Sequence, residues 1–228
     1  EKRYPTTFDH VPPMVQQAFL AAEDANFYYH VGIDFLGMAR ALISNWNAGR
    51  KLQGGSTITQ QVVKYLLLTP EKSYRRKLQE IILSLRLERR LSKKEIFELY
   101  LNQIYLGSGA YGVEAAAREY FGKVADELSL AETAMIAGLP PSPNRYSPRK
   151  NWEQAKMRQR YVLERMMDEH YISYAQAMEA WQASVTLTTA HHEETLSSPA
   201  PFYVEHVHQI LQKRYGGYAT HQLGFAVY

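Results

Sequence analysis

Ser92-Lys93-Lys94-Glu95-Ile96-Phe97-Glu98-Leu99-Tyr100-Leu101-Asn102 decides the fold class of this 228-residue chain. Ser92 offers a side-chain oxygen at a helix start, and Glu95, three residues on, reaches back, so two orphan amide donors are satisfied reciprocally. The same pattern recurs at Ser129 with Glu132, Asn151 with Gln154 and Ser173 with Gln176. Helical spacing then predicts helices near 12–25, 35–47, 57–68, 74–90, 93–103, 112–121, 130–138, 152–168, 174–183 and 202–214. The class is mainly α. Within 74–90, Leu78, Ile81, Ile82 and Leu85 recur at helical spacing and predict a buried stripe. Arg76 and Lys77 precede Glu80 by four and three residues, which stacks both cations on the carboxylate's side. Breaks fall at Gly107-Ser108-Gly109 and at Pro140-Pro141-Ser142-Pro143, where successive prolines remove amide donors. No internal repeat is visible.

A hydrophobic content of 46% with 21% charged residues describes a folded chain. With 26 Lys and Arg against 23 Asp and Glu, the net charge of +3 is too small to point to nucleic acid. Its distribution says more. Residues 64–94 hold ten basic side chains and three acidic ones, a local surplus larger than that of the whole chain. The absence of cysteine excludes disulfides and thiolate metal sites. No stretch approaches the ~18 apolar residues of a membrane span, and residues 1–20 lack the apolar segment of a signal peptide. The start Glu1-Lys2-Arg3, without methionine, predicts a preceding anchor. From 184 the chain reads as extended at Val185-Thr189, then as a polar connector over 191–201. The final Leu223-Gly224-Phe225-Ala226-Val227-Tyr228 reads as a strand with nothing to pair with, which predicts a following domain. The expected division is 1–183 and 184–228.

Two strings do not look like core packing. In Glu23-Asp24-Ala25-Asn26-Phe27-Tyr28-Tyr29-His30-Val31-Gly32 a carboxylate pair ends an apolar-faced helix. Its ordinary reading is a solvated helix end. Phe27, Tyr28 and Tyr29 offer shielding instead, and shielding raises a carboxyl pKa into the range useful for a base. His30 alone reads as a structural hydrogen-bonder. The second string, Gly54-Gly55-Ser56-Thr57, is either a common helix start or an anion-binding turn whose following amides point at a ligand. Gln60, Gln61 and Lys64 on the next turns favour the second reading. Lys72, Arg76 and Lys77 suit a phosphate clamp, while Arg86, Arg89, Arg90, Lys93 and Lys94 suit a solvated face or an anionic lipid surface. No Gly-x-x-x-x-Gly-Lys-Ser/Thr is present, which argues against a nucleotide. The amphipathic 33–51 segment is either core packing or, with Trp46, Arg40, Arg50 and Lys51, an interfacial helix.

In order, the motifs Glu23-Asp24-x-x-Phe27-x-x-His30-x-Gly32, Gly55-Ser56-Thr57-Ile58-Thr59-Gln60-Gln61, Arg76-Lys77-x-x-Glu80, Lys94–Asn102 and Gly109–Ala117 running to Tyr120-Phe121-Gly122 resemble the glycosyltransferase family 51 domain. This is the peptidoglycan polymerase of class A penicillin-binding proteins and monofunctional transglycosylases. The similarity covers about residues 8–170, and residues 199–228 resemble a linker toward a transpeptidase domain. Tyr65 stands where the family usually has Asn, and Lys72 where Arg is frequent.

The resemblance implies a lysozyme-like, two-lobed helical domain that polymerises lipid II into a growing glycan strand with inversion and release of polyprenyl pyrophosphate. It implies Glu23 as general base and Glu80 as a second catalytic carboxylate. Asp24, Phe27, His30, Gly55, Ser56, Thr57, Gln60, Gln61, Lys64, Lys72, Arg76, Lys77 and Asn102 are implied to bind substrate. A divalent cation, Mg or Mn, bridging the phosphates is also expected. The implied setting is the extracytoplasmic face of the bacterial inner membrane, reached through a 33–51 jaw and an N-terminal anchor, with other cell-wall synthesis proteins as partners and moenomycin as inhibitor. The competing readings are a lysozyme-like glycan-cleaving enzyme and a non-enzymatic membrane-peripheral scaffold. A cationic clamp favours transfer, since hydrolysis releases only a sugar hydroxyl.

Overall fold

The computed structural model describes residues 1–39, 55–68 and 73–189. Lys72, the jaw segment beyond residue 39, the expected 202–214 helix and the 223–228 strand lie outside the described residues. Contacts divide the chain into Glu1–Thr188 and Thr189–Tyr228, and the fold below belongs to the first unit.

That unit is mainly helical. Among the described residues its elements are α1 (Pro13–Glu23), α2 (Ile58–Leu67), α3 (Tyr74–Glu88), α4 (Lys93–Gln103), α5 (Val113–Phe121), α6 (Leu130–Ala137), α7 (Trp152–Asp168) and α8 (Tyr174–Gln182). Reciprocal caps form at Ser92, Ser129 and Ser173 as expected, and also at Thr57 with Gln60. Asn151 departs from the expectation. Its side chain caps nothing; the Asn151 amide instead donates to Ser147 O at 2.8 Å, and Gln154 Oε1 is buried without a partner.

The core gathers around α4, where Ile96, Phe97, Tyr100 and Leu101 are all essentially inaccessible. Phe97 meets Phe27 and Tyr100 at ring separations of 5.6 and 6.2 Å, and Phe19 of α1 reaches Tyr100 at 6.1 Å. Complete burial of each such ring contributes about 1.5–3 kcal/mol. α6, buried from Ala131 to Ala137, packs against α1 and α7, while α2 packs on α3 and α4. A two-residue parallel pairing of Lys2–Arg3 with Ala110–Tyr111 (β1, β2), which the sequence pattern did not signal, ties the N-terminus to this core. At the other end Thr188 N donates to Tyr120 O at 2.9 Å, and Val185 and Leu187 pack on the core.

α3 contradicts the expected buried stripe. Leu78 is 58% and Ile82 42% exposed, whereas the buried residues of the helix are Glu80 and Ser84. The polar side packs inward because the Ser84 carbonyl and the Glu88 side chain close on Gly32, and Thr59 Oγ1 donates to Glu88 at 2.5 Å. Leu78 and Ile82 are left facing outward, with Ile81 and Leu85 half-buried.

Gly112, before α5, has φ +85° and ψ 163°, a region essentially restricted to glycine. A Cβ there would lie 2.7 Å from Asn102 O. Gly112→Ala should therefore destabilise the domain by about 1–3 kcal/mol from backbone strain alone, read as a lowered urea midpoint with unchanged slope.

Candidate active site

α1 stops at Glu23 because Asp24 leaves helical geometry at φ −161° and ψ 74°. Its buried carboxylate then accepts the Ile58 amide at 2.9 Å and faces His30 Nε2 at 3.0 Å. Gly32 N–H donates to His30 Nδ1 at 3.0 Å, so Nδ1 holds the lone pair and Nε2 carries the proton toward Asp24. Thr57 Oγ1 donates to Gly32 O at 2.7 Å and accepts the Gln60 amide at 3.1 Å. These bonds weld the two strings of the sequence into one wall. Of the amides that the anion-binding reading of Gly54-Gly55-Ser56-Thr57 offered to a ligand, those of Thr57, Ile58 and Gln60 are taken within the protein, and the anion at the N-terminus of α2 is its own Asp24, placed where the helix dipole favours it.

With Asp24 so engaged, Glu23 looks into a cleft of about 520 Å³. One side carries Gly55, Ser56, Gln60, Gln61, Lys64 and Glu80; the other is built from 140–146 and α7. Gln61 Nε2 donates to Glu23 Oε2 at 2.8 Å. Burial raises the Glu23 pKa from 4.5 to about 7, against the lowering effects of the Gln61 bond, Arg158 and Lys64. The shield differs from the expected one. Tyr28 and Tyr29 are 48% and 89% exposed, and Phe27 is in the core under Lys93, so the phenols that feel the Glu23 charge are Tyr65, Tyr100 and Tyr161, each pushed up chiefly by burial.

The clamp candidates divide. Lys77 Nζ donates to Glu80 and, at 3.3 Å, to Ser56 Oγ, which places it at the cleft edge. Lys64 lines the cleft beside the Tyr65 ring. Arg76 is half-buried outside the lining, with Nε buried and unpartnered. Phe27, His30 and Asn102 also stand outside the lining; Asn102 clasps the N-terminal segment, accepting from Thr6 N at 2.9 Å and donating to Thr6 O at 2.8 Å. The whole α7 wall, with Arg158, Tyr161 and Arg165, escaped the sequence reading, as did Arg145 and Tyr146. Their one signal is the 158, 161, 165 spacing, which places three such side chains on one helical face.

A family profile described as Transglycosylase matches residues 1–167. The chain belongs to the transglycosylase family. Penicillin-binding protein 1A of Aquifex aeolicus (strain VF5) is 46% identical over 216 residues, covering 95% of this chain and 29% of that protein. Penicillin-binding protein 1A of Escherichia coli (strain K12) is 42% identical over 228 residues, covering 100% of this chain and 26% of that protein. The 2.6 Å crystal structure of penicillin-binding protein 1A from Haemophilus influenzae is similar in fold, with a TM-score of 0.54 at 27% identity, covering 96% of this chain and 22% of that one. The chain thus spans well under a third of the length of these relatives.

In this transglycosylase domain the Glu23 environment has a thermodynamic signature. A carboxyl raised from 4.5 to about 7 on folding adds stability while protonated, fully below pH 4.5, and that contribution is lost as pH rises through 7. Glu23→Gln, which mimics the neutral acid, should match the wild type near pH 4 and exceed it by about 3 kcal/mol at pH 8.5. Urea unfolding of both proteins across that range measures the difference.

Proposed function

We propose that this domain carries out the peptidoglycan glycosyltransferase reaction of its family on lipid II, with Glu23 as general base. The observation that carries the reading is a carboxyl held near 7 in a cleft whose edge is cationic. A base poised near the working pH combines a useful deprotonated fraction with real proton affinity. The acceptor's 4-hydroxyl gives its proton to a Glu23 oxygen as its own oxygen bonds to C1 of the donor's N-acetylmuramic acid. The C1–O bond to pyrophosphate breaks, and its electron pair leaves with the diphosphate, so attack from the opposite face inverts C1. Lys64 and Lys77 meet the charge that grows on the leaving group, where preorganised cations contribute most. Glu80, buried and bonded to Lys77, orients that ammonium together with Ser56.

Among the described residues no three His, Cys, Asp or Glu side chains cluster to hold a resident metal, and Glu80 is taken by Lys77. No step above passes through a metal. A divalent cation here belongs with the pyrophosphate, as an ion brought by the substrate.

The outward apolar side of α3 supports a membrane-facing role at the extracytoplasmic surface. Leu78 and Ile82 share exposure with Phe35 at 68%, Leu36 at 79% and Leu67 at 57%, and α3 with the turn that follows it also exposes the cations Arg75, Arg86, Arg89 and Arg90. Apolar and basic groups together suit an anionic lipid interface. No helix among the described residues is long and apolar enough to cross a membrane. Leu78→Ser with Ile82→Ser should weaken cosedimentation with phosphatidylglycerol vesicles several-fold, and equal binding would remove this face from the contact.

Incubation with labelled lipid II should give a ladder of polymer, with activity falling about tenfold per pH unit below 7. Glu23→Gln should lose at least about 10²-fold in rate, and Lys77→Ala should lose rate at every pH. Disaccharide without polymer would select a glycan-cleaving enzyme instead.

A further inference from the structure

Arg158 lies on the cleft wall across from α2, and three contacts fix it there. Its guanidinium carbon sits 4.3 Å from the Tyr161 ring centre and 5.3 Å from that of Tyr146, and Nε donates to Gly138 O at 3.3 Å. Gly138 permits this approach, since a Cβ there would lie 3.0 Å from Arg158 Cβ. Aromatic faces hold a guanidinium without neutralising it. Carboxylates neutralise the neighbouring arginines: Arg165 pairs with Asp168 and Glu169, Arg160 with Glu164. Among the described residues Arg158 has no carboxylate ion pair, and its charge bears on Glu23.

We propose that Arg158 is a positioning residue for the transfer reaction, a clamped cation that keeps the Glu23 carboxyl in its proton-accepting form when substrate fills the cleft. The inference rests on Glu23 as the base. The charged and titratable groups around Glu23 are Asp24 on its own segment, Lys64 and Tyr65 from α2, Glu80 from α3, Tyr100 from α4, Arg145 and Tyr146 from the 140–146 segment, and Arg158, Tyr161 and Arg165 from α7. Asp24 favours the protonated acid, and the phenols stay neutral. Lys64 and Arg158 oppose Asp24. Once a pyrophosphate occupies the cleft, Lys64 is committed to that anion, and the anion itself further favours protonation. Arg165 is already paired with Asp168 and Glu169, and of the cleft arginines it is Arg158, held by rings rather than by a mobile stem, whose charge acts on Glu23 to balance this.

The test follows two readouts in the full 228-residue chain: the Glu23 titration by carboxyl carbon NMR, assigned by its absence in Glu23→Gln, and the pH profile of kcat/KM with labelled lipid II. Arg158→Gln should move both midpoints upward by at least about half a pH unit, since removing a nearby cation disfavours the carboxylate. That shift cuts activity about threefold on the acid side relative to the alkaline plateau. Arg158→Lys should return both midpoints toward the wild type. Arg158→Met replaces the Gln variant should circular dichroism report misfolding. Unmoved midpoints with a uniform loss at all pH values would overturn the proposal and leave Arg158 as packing alone. Should the wild type make no polymer, the NMR midpoint still decides the coupling, so failure of the glycosyltransferase reading is told apart from failure of this one.

Discussion

The Asp24 carboxylate holds the site together. It is buried, it accepts the first amide of α2, and it fixes the proton-bearing nitrogen of His30, which in turn holds Gly32 and through it Thr57. A buried carboxylate is tolerated only when such bonds replace its lost water. Two segments separated by more than twenty residues therefore share one charge, and α2 is aimed by it. Glu23, next in sequence, is turned the other way. Adjacent carboxylates thus serve opposite ends: one is satisfied by amide and imidazole and acts as scaffold, the other is held by Gln61 in a shielded cleft and stays available to a proton. This follows the general rule that neighbouring titratable groups in contrasting environments divide their roles.

Much of the fold was legible because it is written in local chemistry. Reciprocal caps at Ser92, Ser129 and Ser173 depend on residues three apart, and the structure forms all three. Asn151 has the same spacing, yet its amide finds Ser147 O, a partner that no helix-start pattern encodes. The apolar repeat of α3 shows the limit more sharply. Leu78 and Ile82 share a face, as periodicity requires, but periodicity does not say which face meets the protein; Gly32 and Thr59 claim the polar one.

The site was half legible for the same reason. Glu23, Gln61 and Lys64 sit in strings whose residue types are unusual for packing, and the structure brings them to one cleft. Phe27 and His30 belong to the first of these strings and Asn102 to the helix Lys93–Gln103, but all three serve the frame beside that cleft. The opposite wall could not be read. Arg158, Tyr161 and Arg165 look like any solvated helical face until α7 packs on α1 and α6, a contact between elements more than a hundred residues apart for α1. Long-range packing thus supplies the cation, Arg158, that acts most strongly on the Glu23 carboxyl.

The central claim is that an acceptor hydroxyl meets Glu23 while the departing pyrophosphate meets the cations of α2 and α3. A crystal structure of the chain with an unreactive disaccharide-pyrophosphate donor analogue and a lipid II acceptor measures this directly. The account predicts the acceptor's 4-hydroxyl oxygen within about 3.2 Å of a Glu23 carboxylate oxygen, with the pyrophosphate against Lys64 and Lys77. A hydroxyl seated on Glu80 with Glu23 out of reach, or a pyrophosphate bound away from both lysines, would contradict it.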